Sequence, residues 1–123
     1  MTKESPSSFF VFFKELNATK TGKLVSFNFF LALFIILWGA WVRLSGSGAG
    51  CGEHWPLCHG EVVPLAPSLQ TVIEFTHRVT SGIFGFTVFA QVIFAAKEFG
   101  RTHLQFKASL AFLILTFIEA LIG

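Results

Sequence analysis

Three long apolar stretches set the pattern of this chain, and polar segments separate them. Residues 24–42 run without a charge, close to the roughly 20 apolar residues a helix needs to cross a bilayer. Trp38 and Trp41 stand at the far end of that run, where amphipathic rings favour the membrane interface. A second stretch covers residues 71–96. A third begins near residue 106, where Lys107 reaches back to the interface, and runs to the last residue. The pattern predicts an all-α integral membrane protein with three transmembrane helices at 24–42, 71–96 and 106–123, joined by loops at 43–70 and 97–105. Residues 110–123 are too few to leave the membrane, and no polar stop follows them. The third helix is therefore expected to be cut short and the chain to be part of a longer protein. Residues 1–23 form a tail with polar edges around the patch Phe9-Phe10-Val11-Phe12-Phe13. That patch reads equally as a short interfacial helix or as an unstructured terminus. The long apolar run that follows, without a small-residue cleavage site, argues against a removed signal peptide.

Composition agrees with a lipid environment. Hydrophobic residues make up 53% of the chain and charged residues 13%, against about 25% charged in an average soluble domain. Seventeen Phe accompany no Tyr, and mean hydropathy is +0.67. A net charge of +2, with no basic run or basic–aromatic interleaving, gives no footing for nucleic acid. The few cations are informative by position. Lys3, Lys14, Lys20 and Lys23 lie in the tail, and Lys97, Arg101 and Lys107 lie around the second connection. Residues 44–70 hold no Lys or Arg, with Arg43 and Arg78 flanking them. The positive-inside bias places the N-terminus and second connection in the cytoplasm and the first loop outside.

Candidate chemistry gathers at the head of the second stretch, in Ile73-Glu74-Phe75-Thr76-His77-Arg78. Glu74 and His77 are three residues apart, so a helix carries both on one face, a turn apart. That face continues through Ser81, Phe84, Gly85 and Val88, and the small residues leave room beside the histidine for something flat and bulky. Ionisable groups inside a spanning segment are costly and read first as functional. The plainer alternative is a structural pair at a helix start, where a carboxylate also suits the dipole. The preceding loop carries Ser45-Gly46-Ser47-Gly48-Ala49-Gly50, then Cys51 and Cys58. Its glycines suggest a flexible exit from the first helix that lets the backbone approach a ligand. On the oxidising side of a membrane, Cys51 and Cys58 are expected to form a disulfide. The rival is a metal site from Cys51, His54, Cys58 and His59, whose crowded spacing fits structural zinc poorly; without it, His54 and His59 are solvated loop residues. Glu119, in the third stretch, reads as a pocket acid, a helix-end cap or a partner for a further helix.

Three linked motifs carry a resemblance. Val42-Arg43-Leu44-Ser45-Gly46-Ser47-Gly48 is followed by Cys51, Trp55-Pro56-Leu57-Cys58, and then Glu74-Phe75-Thr76-His77-Arg78. In order and spacing, over residues 35–90, this resembles the heme A synthase family. The resemblance implies that the three helices belong to the N-terminal half, itself a four-helix bundle, of a protein with two such halves. The fourth helix with its histidine, and the C-terminal half with its heme B, have no counterpart in this sequence. It also implies conversion of the ring methyl of heme O to the formyl group of heme A for terminal oxidases, in a bacterial cytoplasmic membrane. Glu74 would be the catalytic carboxylate and His77 a heme-iron ligand. Arg43 and Arg78 would either face heme propionates or snorkel to lipid headgroups. Heme O synthase and the terminal oxidase are the implied partners; the electron acceptor stays open. A heme-binding subunit for electron transfer or storage, needing His77 but not Glu74, is the alternative function. A purely structural bundle would need neither.

Overall fold

The computed structural model describes Lys14 and residues 16–122. The aromatic patch at residues 9–13 and the terminal Gly123 lie outside the described residues. Three helices follow in order: α1, Lys20–Leu44; α2, Leu69–Phe99; and α3, Leu104–Ile122. All three are long and apolar enough to cross a membrane, and no strand is formed among the described residues. Exposure runs opposite to that of a water-soluble protein. Phe30 is 59% exposed, Leu37 71% and Phe86 77%, whereas Asn28 is 1% and Gln91 4% exposed. Large apolar side chains such as these face outward and these polar ones inward, the arrangement expected of helices surrounded by hydrocarbon.

Contacts fall into two compact groups, one holding the residues up to Phe30 and those from Gly85, the other Leu31–Phe84. In the first group the N-terminus of α1 is fully satisfied. Thr19 is its N-cap, its Oγ1 accepting from the Gly22 amide at 3.0 Å and its carbonyl from Lys23 at 3.1 Å. Glu98, at the end of α2, takes the two remaining donors, from the amides of Lys20 at 3.0 Å and Thr21 at 2.9 Å. A carboxylate there answers both the free amides and the positive end of the helix dipole. Deeper along the same helices, Asn28 Nδ2 donates to Gln91 Oε1 at 2.8 Å, and Thr87 Oγ1 donates to Asn28 Oδ1 at 2.6 Å. Gln91 Nε2 donates in turn to Ser109 Oγ of α3 at 3.1 Å. The opposed order of the pairs Thr21–Glu98 and Asn28–Gln91 makes α1 and α2 antiparallel here. Gly100, at φ 85°, ends α2 in the left-handed conformation that a glycine adopts without strain. Three further residues then lead into α3.

The second group contains the loop. α1 ends in a Schellman cap, with Ser47 N–H on the Val42 carbonyl at 2.9 Å and Gly46 N–H on the Arg43 carbonyl at 3.1 Å. Gly46 has the positive φ, 68°, that this motif requires. α2 opens on Ser68, whose Oγ accepts the Thr71 amide at 3.2 Å as an N-cap. Between them, residues 45–68 are held by the Cys51–Cys58 disulfide and a short bridge in which Cys58 and Glu61 exchange backbone hydrogen bonds.

Candidate functional site

The site is built where the loop closes on the first turns of α2. Gly50 passes so close to that helix that a Cβ would stand 2.8 Å from the Thr71 nitrogen. The Gly50 carbonyl accepts from Thr71 Oγ1 at 2.8 Å and from His59 Nε2 at 2.7 Å. The sequence suggested a flexible exit by which backbone approaches a ligand. The structure differs: Gly46 completes a hydrogen-bonded cap, and the close approach at Gly50 is to α2. His59 is likewise a tethered residue and not simply a solvated one. Both cysteine sulfurs sit in the disulfide, with Cys51 0% and Cys58 1% exposed, which removes the thiolates a zinc site would use.

Glu74 is buried at 6% exposure and both of its oxygens are engaged. Oε2 accepts the Cys51 amide at 2.7 Å. Oε1 accepts Arg78 Nε at 3.0 Å and Arg78 Nη2 at 2.5 Å. The Arg78 guanidinium continues into the loop, where Nη1 donates to the Leu57 carbonyl at 2.8 Å and Nη2 to the Gly52 carbonyl at 3.1 Å. Gly52 and Leu57 both lie within the ring that the disulfide closes. The ring therefore grips Arg78, and Arg78 together with Cys51 fixes the carboxylate of Glu74. A planar fork of donors is what such a multidentate grip requires, and lysine lacks it. Arg43, by contrast, lies exposed in the last turn of α1.

His77 is half-buried one turn beyond Glu74. Its Nδ1 is buried without a hydrogen-bond partner. Its ring edge lies against Gly39 of α1, where a Cβ would come within 3.0 Å of Cε1 and 3.3 Å of Nε2. The neighbouring Trp38 has a buried, unpartnered Nε1 and stacks on Phe34 with ring centroids 6.3 Å apart. An unpaired buried imidazole nitrogen is costly in a low-dielectric site; a neutral imidazole is also able to ligate heme iron, through Nε2, the nitrogen that here lies against Gly39. Gly39 was missed from the sequence, although Gly39-Ala40 inside an apolar run is the small-residue signal of close helix approach. Gly85 opens onto free space, with nothing within 4 Å of a Cβ there. Glu119 is exposed on α3.

Residues 22–123 match the family described as cytochrome oxidase assembly protein, COX15-CtaA. Among curated relatives, the heme A synthase of Alkalihalophilus pseudofirmus is 41% identical over 91 residues, 74% of this chain and 31% of the relative. The heme A synthase of Bacillus cereus is 43% identical over 93 residues, 74% of this chain and 29% of the relative. A protoheme IX farnesyltransferase of Thermus thermophilus is 48% identical over 92 residues, 74% of this chain but 15% of the relative. The chain thus spans about a third or less of the length of these relatives. No solved structure matches it.

Proposed function

The chain belongs to the heme A synthase family, and on that premise we propose that it forms part of a membrane oxidoreductase that converts heme O to heme A, with Glu74 as catalytic carboxylate and His77 as heme-iron ligand. One observation carries the reading: a buried carboxylate fixed at both oxygens stands one helical turn from an imidazole whose Nδ1 is buried and unpaired. A bound heme supplies the iron that takes the imidazole, and the ring methyl that is oxidised. In that oxidation the methyl gains one oxygen from water and gives up four electrons and four protons to an acceptor outside this chain. Glu74, held still by Arg78 and Cys51, can accept a proton or stabilise positive charge as electrons leave. Its preorganised position means that little reorientation is needed when charge develops. Arg43, exposed at the end of α1, would pair with a propionate in this reading. Arg78 serves the reaction through Glu74, whose position it sets.

The same reading places the N-terminus and the α2–α3 connection in the cytoplasm of a bacterium and the disulfide loop outside its inner membrane, following the lysine and arginine distribution. Heme O, the enzyme that makes it and the terminal oxidase that receives heme A are the proposed partners. The farnesyltransferase relative and the cytochrome oxidase assembly family support a place beside heme chemistry. The test is Glu74→Gln in the gene that encodes this chain, followed by extraction and chromatographic separation of membrane hemes. Gln keeps the shape but not the charge, so heme O is expected to remain and heme A to disappear. Near-normal heme A would remove Glu74 from the chemistry and leave a heme-binding role without catalysis.

A further inference from the structure

At the end of α2 remote in sequence from Glu74 and His77, an apolar groove meets two cations. Val92, Ile93, Ala96 and Lys97 of α2, Arg101 of the turn and Phe106 of α3 line an open depression of about 350 Å³, all within one of the two contact groups. The position of the groove in the membrane follows from the charges. Between Arg78 and Lys97, residues 79–96 carry none and cover about 27 Å of helix, close to the roughly 30 Å of a hydrocarbon core. Lys97 and Arg101 therefore stand at headgroup level, and Val92, Ile93, Ala96 and Phe106 line the hydrocarbon just beneath them. Glu98, the acid adjacent in sequence, is turned to the α1 N-terminus, where it binds Lys20 and Thr21. No ion pair forms with Lys97 or Arg101 among the described residues.

We propose that this groove binds one anionic phospholipid, its phosphate between Lys97 and Arg101 and an acyl chain along Val92, Ile93 and Ala96. Charge complementarity selects the occupant. Two unneutralised cations over an apolar trough match a headgroup of net negative charge joined to a hydrocarbon tail, and discriminate against zwitterionic lipid. No described residue of this chain supplies counter-charge to the two cations, and a free anion would leave the apolar walls unfilled.

Native mass spectrometry of the full detergent-solubilised chain, titrated with phosphatidylglycerol or phosphatidylcholine, tests the proposal. One phosphatidylglycerol should be retained per chain in preference to phosphatidylcholine. K97Q/R101Q should weaken that binding about twenty-fivefold, from roughly fivefold per cation. Ala96→Phe, which fills the trough and keeps both cations, should also expel the lipid. Lys20→Gln and Lys23→Gln, cations outside the groove, should leave it bound, and circular dichroism confirms that each variant is folded. Equal binding of the two lipids, no retained lipid, or a full-affinity site in K97Q/R101Q overturns the proposal. So does displacement of the lipid by millimolar inorganic phosphate, which would mark a plain anion site. Heme extracted from the expressing membranes is the separate readout of the catalytic assignment and is expected to be unchanged by Ala96→Phe.

Discussion

Gly39 shows how a residue without a side chain can decide a site. The imidazole of His77 occupies the volume that any larger residue at position 39 would claim, since a Cβ there meets Cε1 at 3.0 Å. A single methyl forces a shift of a few tenths of an ångström, whereas a branched side chain cannot be accommodated without turning the ring away. Gly39→Val is therefore expected to lose heme binding as completely as His77→Ala, while Gly39→Ala retains a weakened site. Titration of each purified variant with heme, followed by its Soret absorption, checks the order. Equal heme binding by Gly39→Val and the unaltered chain would show that the ring does not depend on this contact. Arg78 makes the complementary case, in which everything rests on donors. Replacing it with Ala strands a buried carboxylate, and breaking a buried pair from one side costs about 3 kcal/mol. Arg78→Lys restores charge but not the fork to Gly52, Leu57 and Glu74, so it is expected to recover only part of that loss in a denaturant titration.

At the scale of elements, the disulfide loop and α2 act as one piece. Cys51 supplies both a sulfur to the ring and the amide that fixes Glu74. Opening this short ring removes a chain-entropy constraint of about 2.5 kcal/mol and frees the Gly52 and Leu57 carbonyls from their set positions. Cys51→Ser with Cys58→Ser is expected to lower heme A formation toward the Glu74→Gln level while leaving helix content unchanged by circular dichroism. Heme A at the unaltered level would show that the grip on Glu74 survives without the ring. Much of this arrangement was legible in advance. The shared helix of Glu74 and His77 follows from their three-residue spacing, and the bond between Cys51 and Cys58 was expected from the sequence and is formed. The bonds joining them were not legible, because contacts between residues 51, 52, 57, 74 and 78 depend on how a loop folds back, which no local period encodes. The buried chain from Asn28 through Gln91 to Ser109 was missed for a related reason. Isolated polar residues in an apolar run announce a buried partner, but only the packed helices say which. Asn28→Leu leaves Gln91 Oε1 and the Thr87 hydroxyl without their bonds to Asn28. It is expected to cost about 1 kcal/mol for each bond lost, read as a lowered midpoint of thermal unfolding in detergent.

For the molecule as a whole, the decisive quantity is which end of each helix faces which compartment. Three spans were legible from apolar length alone, and the helices duly run as Lys20–Leu44, Leu69–Phe99 and Leu104–Ile122. Their extra turns were not legible, because caps such as Thr19, Ser68 and Gly100 extend a helix into polar sequence that hydropathy assigns to loops. Direction across the membrane rests on cations. Residues 44–70 carry none, while Lys97, Arg101 and Lys107 crowd the other connection, and translocating Lys or Arg through the bilayer is the step that cells avoid. The chemistry of the loop points the same way, since a disulfide persists on the oxidising side and is reduced in the cytosol. Both arguments support the proposed topology, with residues 45–68 outside. Single cysteines test this without disturbing the native pair. Val62, 77% exposed in the loop, as Val62→Cys should react with a membrane-impermeant maleimide on intact cells. Thr102→Cys, exposed in the α2–α3 connection, should react only after permeabilisation. Cys51 and Cys58 should label in neither case until a reductant is added. The reverse pattern at residues 62 and 102 would invert the topology and, with it, place the proposed heme site at the cytoplasmic face, where a disulfide would not endure.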